Sequence, residues 1–311
     1  MITRNIKSAV ITGPTGAIGS ALCTCLAKKG IRVYAICHPG SKRRGAIPEM
    51  PEIKVIECDL NNLAVLEKYI PKKIDAFFHL GWMGTTGDSR NDMLLQINNI
   101  KYTIDAVRVA KALNCQIFIG AGSQAEYGYK NIKLTSETPC NPENGYGIAK
   151  YSAGLMSRIE CNKISMEHIW VRILSVYGPH DSESSFISML VHNLLKNEII
   201  AMTKGEQVWD YLYSDDAARA LYLCAIHGVN GSVYPLGSGE GHTIREYSEI
   251  IKEIIAPNAL LGIGGMAYAK KQIMYLVADS TKIKEDVGFK PEHSFKEGIT
   301  KYVDFLKNEY K

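Results

Sequence analysis

Tyr146 stands four residues before Lys150, in the stretch NGYGIAKYSAG that begins at residue 144. On a helix that spacing stacks two side chains on one face. A free phenol titrates near pH ~10, too high for a base at neutral pH. A cation beside it favours the phenolate and brings the value toward the working range. The pair therefore reads as an acid/base group with its own activator. Spacing alone is weak support, because Tyr-x-x-x-Lys occurs three times. Tyr69 and Lys73 flank Pro71, which breaks a helix. Tyr129 and Lys133 lie in a polar connecting stretch just after a glycine. Only Tyr146 and Lys150 open a sustained helical pattern, running to about residue 163.

A second set of residues could hold a phosphate. Gly13, Gly16 and Gly19 are spaced G-x-x-G-x-x-G in ITGPTGAIG, between a short apolar run and a helical pattern. Gly13 suits a tight turn, Gly16 lets backbone approach a pyrophosphate, and Gly19 lets helix and strand pack closely. The helix start supplies free N–H groups and the positive end of the dipole. An acid usually follows the second strand to accept a ribose 2′-OH. Here Cys37 and His38 stand in that place, followed by PGSKRR. Lys42, Arg43 and Arg44, with Ser41 as a donor, fit a 2′-phosphate. NADP(H) is the expected cofactor, with NAD(H) the alternative. Asp59, closing the third strand, is expected near the adenine.

The elements that must position these groups alternate. SAVIT (8–12), IRVYAIC (31–37), EIKVIEC (52–58), DAFFHL (75–80), QIFIG (116–120) and HIWVRILSV (168–176) read as short strands. Helical patterns separate them, one starting at Ala17 and closing at Gly30, one over 91–113 and one over 146–163. Such alternation implies parallel β-α-β units in a doubly wound sheet. After residue 178 the rhythm is less even, with a strand at 233–236 and helices over 243–255 and 295–308. Residues 1–175 are expected to form the α/β dinucleotide-binding (Rossmann) domain. Residues 176–311 are expected to form a smaller α/β substrate domain, interleaved with returns to the sheet.

Composition excludes several classes. The apolar fraction of 46% and charged fraction of 22% are ordinary for a globular protein. A net charge of +4 gives no reason to expect nucleic acid as a partner. No apolar run approaches the roughly 18 to 20 residues of a membrane span, and the start carries no signal-peptide pattern. The eight cysteines form no C-x-x-C pair, and Cys23 and Cys25 suit neither zinc nor a redox pair. Buried thiols in the cytoplasm and no metal are expected.

Taken together, the motifs resemble the extended short-chain dehydrogenase/reductases, also called the NAD-dependent epimerase/dehydratase family. The resemblance spans nearly the whole chain. It rests on GPTGAIG, DL at 59–60, HLGW at 79–82, Asn98 in QINNIKYT, GSQAEYG at 122–128, YGIAK, RILSVYGP at 172–179 and WDYLYSDD at 209–216. It implies that Tyr146 is the acid/base, that Lys150 lowers its pKa and holds the nicotinamide ribose, and that Ser123 completes the catalytic set. It further implies cofactor contacts from Thr15, Ala17, Ile18, Leu60, Leu80, Gly81, Trp82 and Asn98. Trp82, Gln124, Ser175 and Trp209 are the implied substrate contacts. A homodimer through the helices over 91–113 and 146–163 is implied as well.

Departures from the family pattern narrow the reaction. Dehydratases carry an Asp-Glu pair after the catalytic Ser or Thr, where this chain has Gln124 and Ala125. Neither can transfer a proton, so dehydration is not expected. Ser175 stands where the epimerases commonly carry Asn. The expected reaction is NADP-dependent reduction of a nucleotide-linked 4-keto-6-deoxy sugar. The alternative is a nucleotide-sugar 4-epimerase with tightly held NAD. A cofactor-binding scaffold without turnover is disfavoured by the intact catalytic set. Glu126 replaces a usual apolar residue and has no account at this level.

Overall fold

The computed structural model describes residues 3–309. The chain runs β1 (Ser8–Thr12), α1 (Ala17–Ala27), β2 (Arg32–Cys37), β3 (Ile53–Glu57), β4 (Ala76–His79), α2 (Met93–Ala112), β5 (Ile117–Ser123), α3 (Gly145–Lys163) and β6 (Glu167–Ile173). It continues through β7 (Ser175–Tyr177), α4 (Phe186–Leu195), β8 (Ala201–Met202), β9 (Val208–Trp209), β10 (Tyr211–Tyr213), α5 (Ser214–His227) and β11 (Val233–Leu236). The last elements are β12 (His242–Thr243), α6 (Ile244–Ile255), β13 (Gly262–Ile263), β14 (Tyr275–Leu276), α7 (Thr281–Val287) and α8 (Phe295–Glu309).

Among the described residues, seven parallel strands form the main sheet in the order β11-β6-β5-β4-β1-β2-β3. Both faces are covered, which is why these strands read as apolar runs rather than alternating ones. Successive residues feed opposite faces. Ile11, Phe78 and Ile119 pack with Leu22 and Leu26 of α1 and Leu221 of α5. Their neighbours Val10, Phe77 and Phe118 pack with Val107 and Val109 of α2. The strand order reverses between β1 and β4, and ligand clefts of such sheets open at this switch point.

Two strand ends differ from expectation. β5 runs past residue 120 to Ser123, pairing in register with β6 through Ser123 and Ile173. Gly120 and Gly122 look like strand terminators in sequence. They lie inside the strand because the Trp170 ring occupies the space where their side chains would stand. The stretch 168–176 is also not one strand. β6 stops at Ile173, and β7 leaves the main sheet to pair with β10.

Past β7 the chain divides its elements between two places. α5 packs on α1, and β11 joins the edge of the main sheet beside β6. A separate core gathers Tyr177, Leu190, Tyr213, Ile251 and Tyr302 from β7, α4, β10, α6 and α8. No helix among the described residues is long and apolar enough to cross a membrane.

Candidate active site

The glycine turn sits between β1 and α1. Gly13 adopts φ +71°, and a Cβ there would lie 2.8 Å from the Gly81 backbone nitrogen. A Cβ on Gly19 would lie 2.1 Å from the Gly13 carbonyl oxygen, so only glycine lets α1 start this close to the turn. A Cβ on Gly16 would meet nothing within 4 Å, so that side of the turn is open to an incoming group. Gly16 caps α1 with no side-chain hydrogen bond, and the first turn holds no acidic residue. The free N–H groups and the helix dipole therefore face the opening, as an anion site requires. These features fit the pyrophosphate of a dinucleotide.

Two adjoining hollows flank the turn. One, of about 250 Å³, is lined by Thr15, His38, Ser41, Asp59, Leu60 and Gly81, among others. The other, of about 270 Å³, gathers Ala17, Ile18, Leu80, Ser123, Tyr146 and Lys150. Gly13 and Trp82 line both. Most of the expected cofactor residues thus meet along one cleft at the switch point.

Several do not. Asn98 lies on the exposed side of α2. Its neighbour Asn99 is buried and clamps the loop after β4, accepting from Met83 N and donating to Met83 O, both at 2.9 Å. One residue turns a helix by about 100°, so only Asn99 shares the inward face with Gln96 and Thr103. Gln96 completes the clamp, accepting from Trp82 Nε1 at 2.9 Å and donating to the Gly84 carbonyl at 2.8 Å. Arg43 and Arg44, expected at a 2′-phosphate, are engaged elsewhere. Arg44 pairs with Glu57 at 2.8 Å, and Arg43 donates to the His180 carbonyl. Neither lines the hollow that holds His38 and Ser41. His38 instead meets Asp59 at 3.0 Å.

Gln124 begins a 3-10 turn, Gln124–Glu126, and lines neither hollow. Ser175 accepts from Trp209 Nε1 at 2.7 Å. Trp209 lines a neighbouring apolar pocket of about 290 Å³ with Met202, Gln207 and Gln272.

The catalytic candidates converge from β5 and α3. Ser123 closes β5, and its hydroxyl accepts from Ala125 N at 3.2 Å. Asn144 caps α3 by accepting from Gly147 N at 2.8 Å, which fixes the first turn that carries Tyr146. Lys150, one turn on, donates to the Ala121 carbonyl at 2.6 Å and sits 3.8 Å over the Trp82 ring. Tyr146 and Lys150 are both buried.

The electrostatics differ from the sequence-based expectation. Burial pushes the Tyr146 phenol up, and the groups that pull it back are the Ser123 hydroxyl and Arg90, with Glu126 opposing them. Lys150 lies 5.8 Å from the Tyr146 ring, and its own charge is costly there. Burial holds it down to about 7, against a raising influence from Glu126. Arg90, from the loop after β4, lies 4.3 Å over the Tyr146 ring. That loop is tied to α3, since Asn91 accepts from Gly145 N at 3.0 Å. Deeper in, His79 is buried and pushed down to about 3, hence neutral, and it hydrogen-bonds Thr12 at 2.9 Å. Asp181 reaches the cleft from the far wall, accepting from Ser185 Oγ at 2.6 Å. Sequence reasoning passed over Arg90 and Asn99, whose partners lie on other elements, and over Asp181, whose serine partners Ser182, Ser185 and Ser188 stand just after it in the chain.

Residues 9–237 match the model of the NAD dependent epimerase/dehydratase family. The chain is 24% identical to the CDP-abequose synthase of Salmonella typhimurium, over 96% of this chain and 97% of that protein. It is 25% identical to the UDP-glucose 4-epimerase of Lactobacillus helveticus, over 91% and 92% of the two chains. Among solved structures, it resembles a UDP-N-acetylglucosamine 4-epimerase from Methanobrevibacter ruminantium in complex with UDP-N-acetylmuramic acid. That match has a TM-score of 0.88 and 26% identity, and covers 98% of this chain and 100% of the other.

Proposed function

Because the chain belongs to the NAD dependent epimerase/dehydratase family, we propose that it carries out redox chemistry at C4 of a nucleotide-linked sugar. The observation that carries this reading is the meeting of Ser123, Tyr146 and Lys150 in one cleft with the open glycine turn. When bound, the nicotinamide cofactor supplies the hydride acceptor and donor. Tyr146 handles the matching proton, taking it from the C4 hydroxyl on oxidation and returning it on reduction. Ser123 hydrogen-bonds the same oxygen. Lys150 holds the nicotinamide ribose and, while protonated, favours the phenolate. The α1 N-terminus takes the pyrophosphate. Asp59 and Ser41 face the adenosine end, and the pocket beside Trp209 takes the nucleotide of the substrate. Residues 176–311 supply most of that grip, while α5 and β11 return to the sheet.

Two net reactions use this centre. A 4-epimerase that retains NAD is supported by the relatives named as 4-epimerases and by Arg43 and Arg44, whose side chains are engaged by the His180 carbonyl and Glu57. A reductase that consumes NADPH on a 4-keto-6-deoxy sugar is supported by Ser175, engaged by Trp209 where epimerases carry Asn. The test is the cofactor's fate with UDP-glucose, UDP-N-acetylglucosamine and a dTDP-linked 4-keto-6-deoxy sugar. Conversion with no added cofactor marks the epimerase. Stoichiometric loss of NADPH absorbance marks the reductase. Turnover of none of the three would count against the substrate class.

A homodimer belongs to the same reading. Leu94 and Ile97 on α2, and Ile148, Met156 and Ile159 on α3, are exposed apolar side chains on paired helices. Ala149, Ala153 and Ser157 face inward and pack within the subunit. Light scattering should give twice the chain mass of 34.4 kDa. A cytoplasmic setting agrees with the eight unpaired cysteines, six of them buried.

A further inference from the structure

Glu126 is the residue that the sequence leaves without a role. It lines neither hollow of the cleft. Its side chain turns back between β5, β6 and α3 and is 0% exposed. Oε1 accepts from the Ser123 backbone N–H at 2.8 Å and from Trp170 Nε1 at 2.9 Å. Oε2 accepts from Arg172 Nε at 2.7 Å, and Arg172 is itself buried. The surrounding residues make room for this arrangement. A Cβ on Gly122 would lie 2.5 Å from Glu126 Oε1, and a Cβ on Gly154 would lie 2.7 Å from the Trp170 ring. A buried carboxylate with three donors is fixed in place, because leaving any of them unpaired is costly.

We propose that Glu126 is a positioning residue of the catalytic centre, fixing Ser123 through its backbone N–H and placing a buried carboxylate between β5, β6 and α3. The proposal rests on Ser123, Tyr146 and Lys150 being the catalytic set. Arg172 neutralises the carboxylate from the β6 side, beside Tyr127 and Cys140. Tyr146 is faced by Arg90 from the loop after β4, by Ser123 and Glu126 from the end of β5, and by Lys150 on its own helix. Lys150 is faced by Trp82, the Ala121 carbonyl and Glu126, and it acts in turn on neutral His79. Within both sets Glu126 is the one carboxylate that acts on each group. It raises Lys150 and also raises Tyr146.

The signs agree, which makes the test decisive. Removing the negative charge lowers the pKa of the ammonium and of the phenol together. The whole pH–rate profile must therefore move toward acid, whichever limb either group governs. Glu126→Gln keeps the shape and one acceptor oxygen while removing the charge. Because it leaves Arg172 charged and unpaired, Glu126→Gln/Arg172→Gln is measured beside it to keep a folded species in hand. Arg172 offsets the carboxylate charge in the parent, so the double variant should move the profile in the same direction but by less than Glu126→Gln alone.

The readouts are the pH profile of turnover and the pH dependence of NADH binding by fluorescence, which needs no substrate. Both should shift to lower pH by about half a unit or more in Glu126→Gln, and in the same direction by less in the double variant. A profile that stays in place while only melting temperature or overall rate falls would overturn the proposal and leave Glu126 structural. Tyr146→Phe separates the two levels. If it turns over normally, the catalytic reading itself fails. If it is inactive while the Glu126 profiles do not move, only the present inference fails.

Discussion

At the ribose end of the cleft, Arg44 pairs with Glu57 and His38 with Asp59, and all four side chains remain partly in water. At the catalytic end, Lys150, Glu126 and Arg172 are closed off from it. The same kinds of residue have different consequences in the two places. Exposed pairs are screened and contribute little. Buried ones carry desolvation costs of several kcal/mol, so each needs a partner or shifts its titration. The wet end can tune which cofactor binds. The dry end governs whether proton transfer runs at neutral pH.

The comparison is tested most sharply at Tyr146. Tyr146→Phe keeps the ring against Trp82 and Arg90 and removes only the hydroxyl. Turnover should fall by roughly 10² to 10⁴, the usual worth of a positioned acid, with cofactor binding nearly unchanged. A rate within a factor of about three of the parent would remove Tyr146 from the mechanism.

Lys150 yields the next effect, with the opposite sign for stability. Its folded pKa of about 7 lies below the ordinary lysine value of 10.5. Between those values the unfolded chain holds a proton that the folded one lacks, so stability rises with pH across that window. Lys150→Met removes this cost. It should abolish turnover yet raise stability at neutral pH, by on the order of a few kcal/mol, with the gain shrinking as pH approaches 10.5. Thermal melts of parent and variant at several pH values check this. Parallel curves would show that Lys150 is charged without penalty in the fold.

What the sequence revealed of this site follows the range of each interaction. Tyr146 and Lys150 are one helical turn apart, and the glycine turn is contiguous, so both could be read locally. The sheet was legible because strands buried on both faces become apolar runs. Glu126 was not, because its partners Trp170 and Arg172 are 44 and 46 positions away. The Arg44 pairing hides for the same reason, since Glu57 sits on the neighbouring strand. The mistaken Asn98 has another cause. Two asparagines are adjacent on α2, and only the phase of the folded helix decides which one points inward.

That phase error supplies a smaller, paired test. Asn99 donates and accepts across the loop after β4, which carries Trp82 into both hollows. Asn99→Ala removes two hydrogen bonds that the buried Asn99 side chain makes to the Met83 backbone and should cost about 1 to 3 kcal/mol. Asn98→Ala, on the exposed face, should stay within about 0.5 kcal/mol. Urea unfolding of the two variants decides it. Equal effects would mean that both asparagines hold the loop.

The weakest expected effect belongs to the wet end. A 2′-phosphate could recruit Arg44 only by drawing it from Glu57, and an exposed pair is worth at most about 1 kcal/mol. Arg43 would have to leave the His180 carbonyl. If both remain where they are, Arg43→Ala/Arg44→Ala should weaken NADPH and NADH alike, by less than about fivefold. Fluorescence titration with each cofactor measures this. A loss confined to NADPH and exceeding tenfold would show that the exposed pair opens to the phosphate. In that case the wet end would select the cofactor after all, and the NADPH-consuming reductase would become the better account of the net reaction.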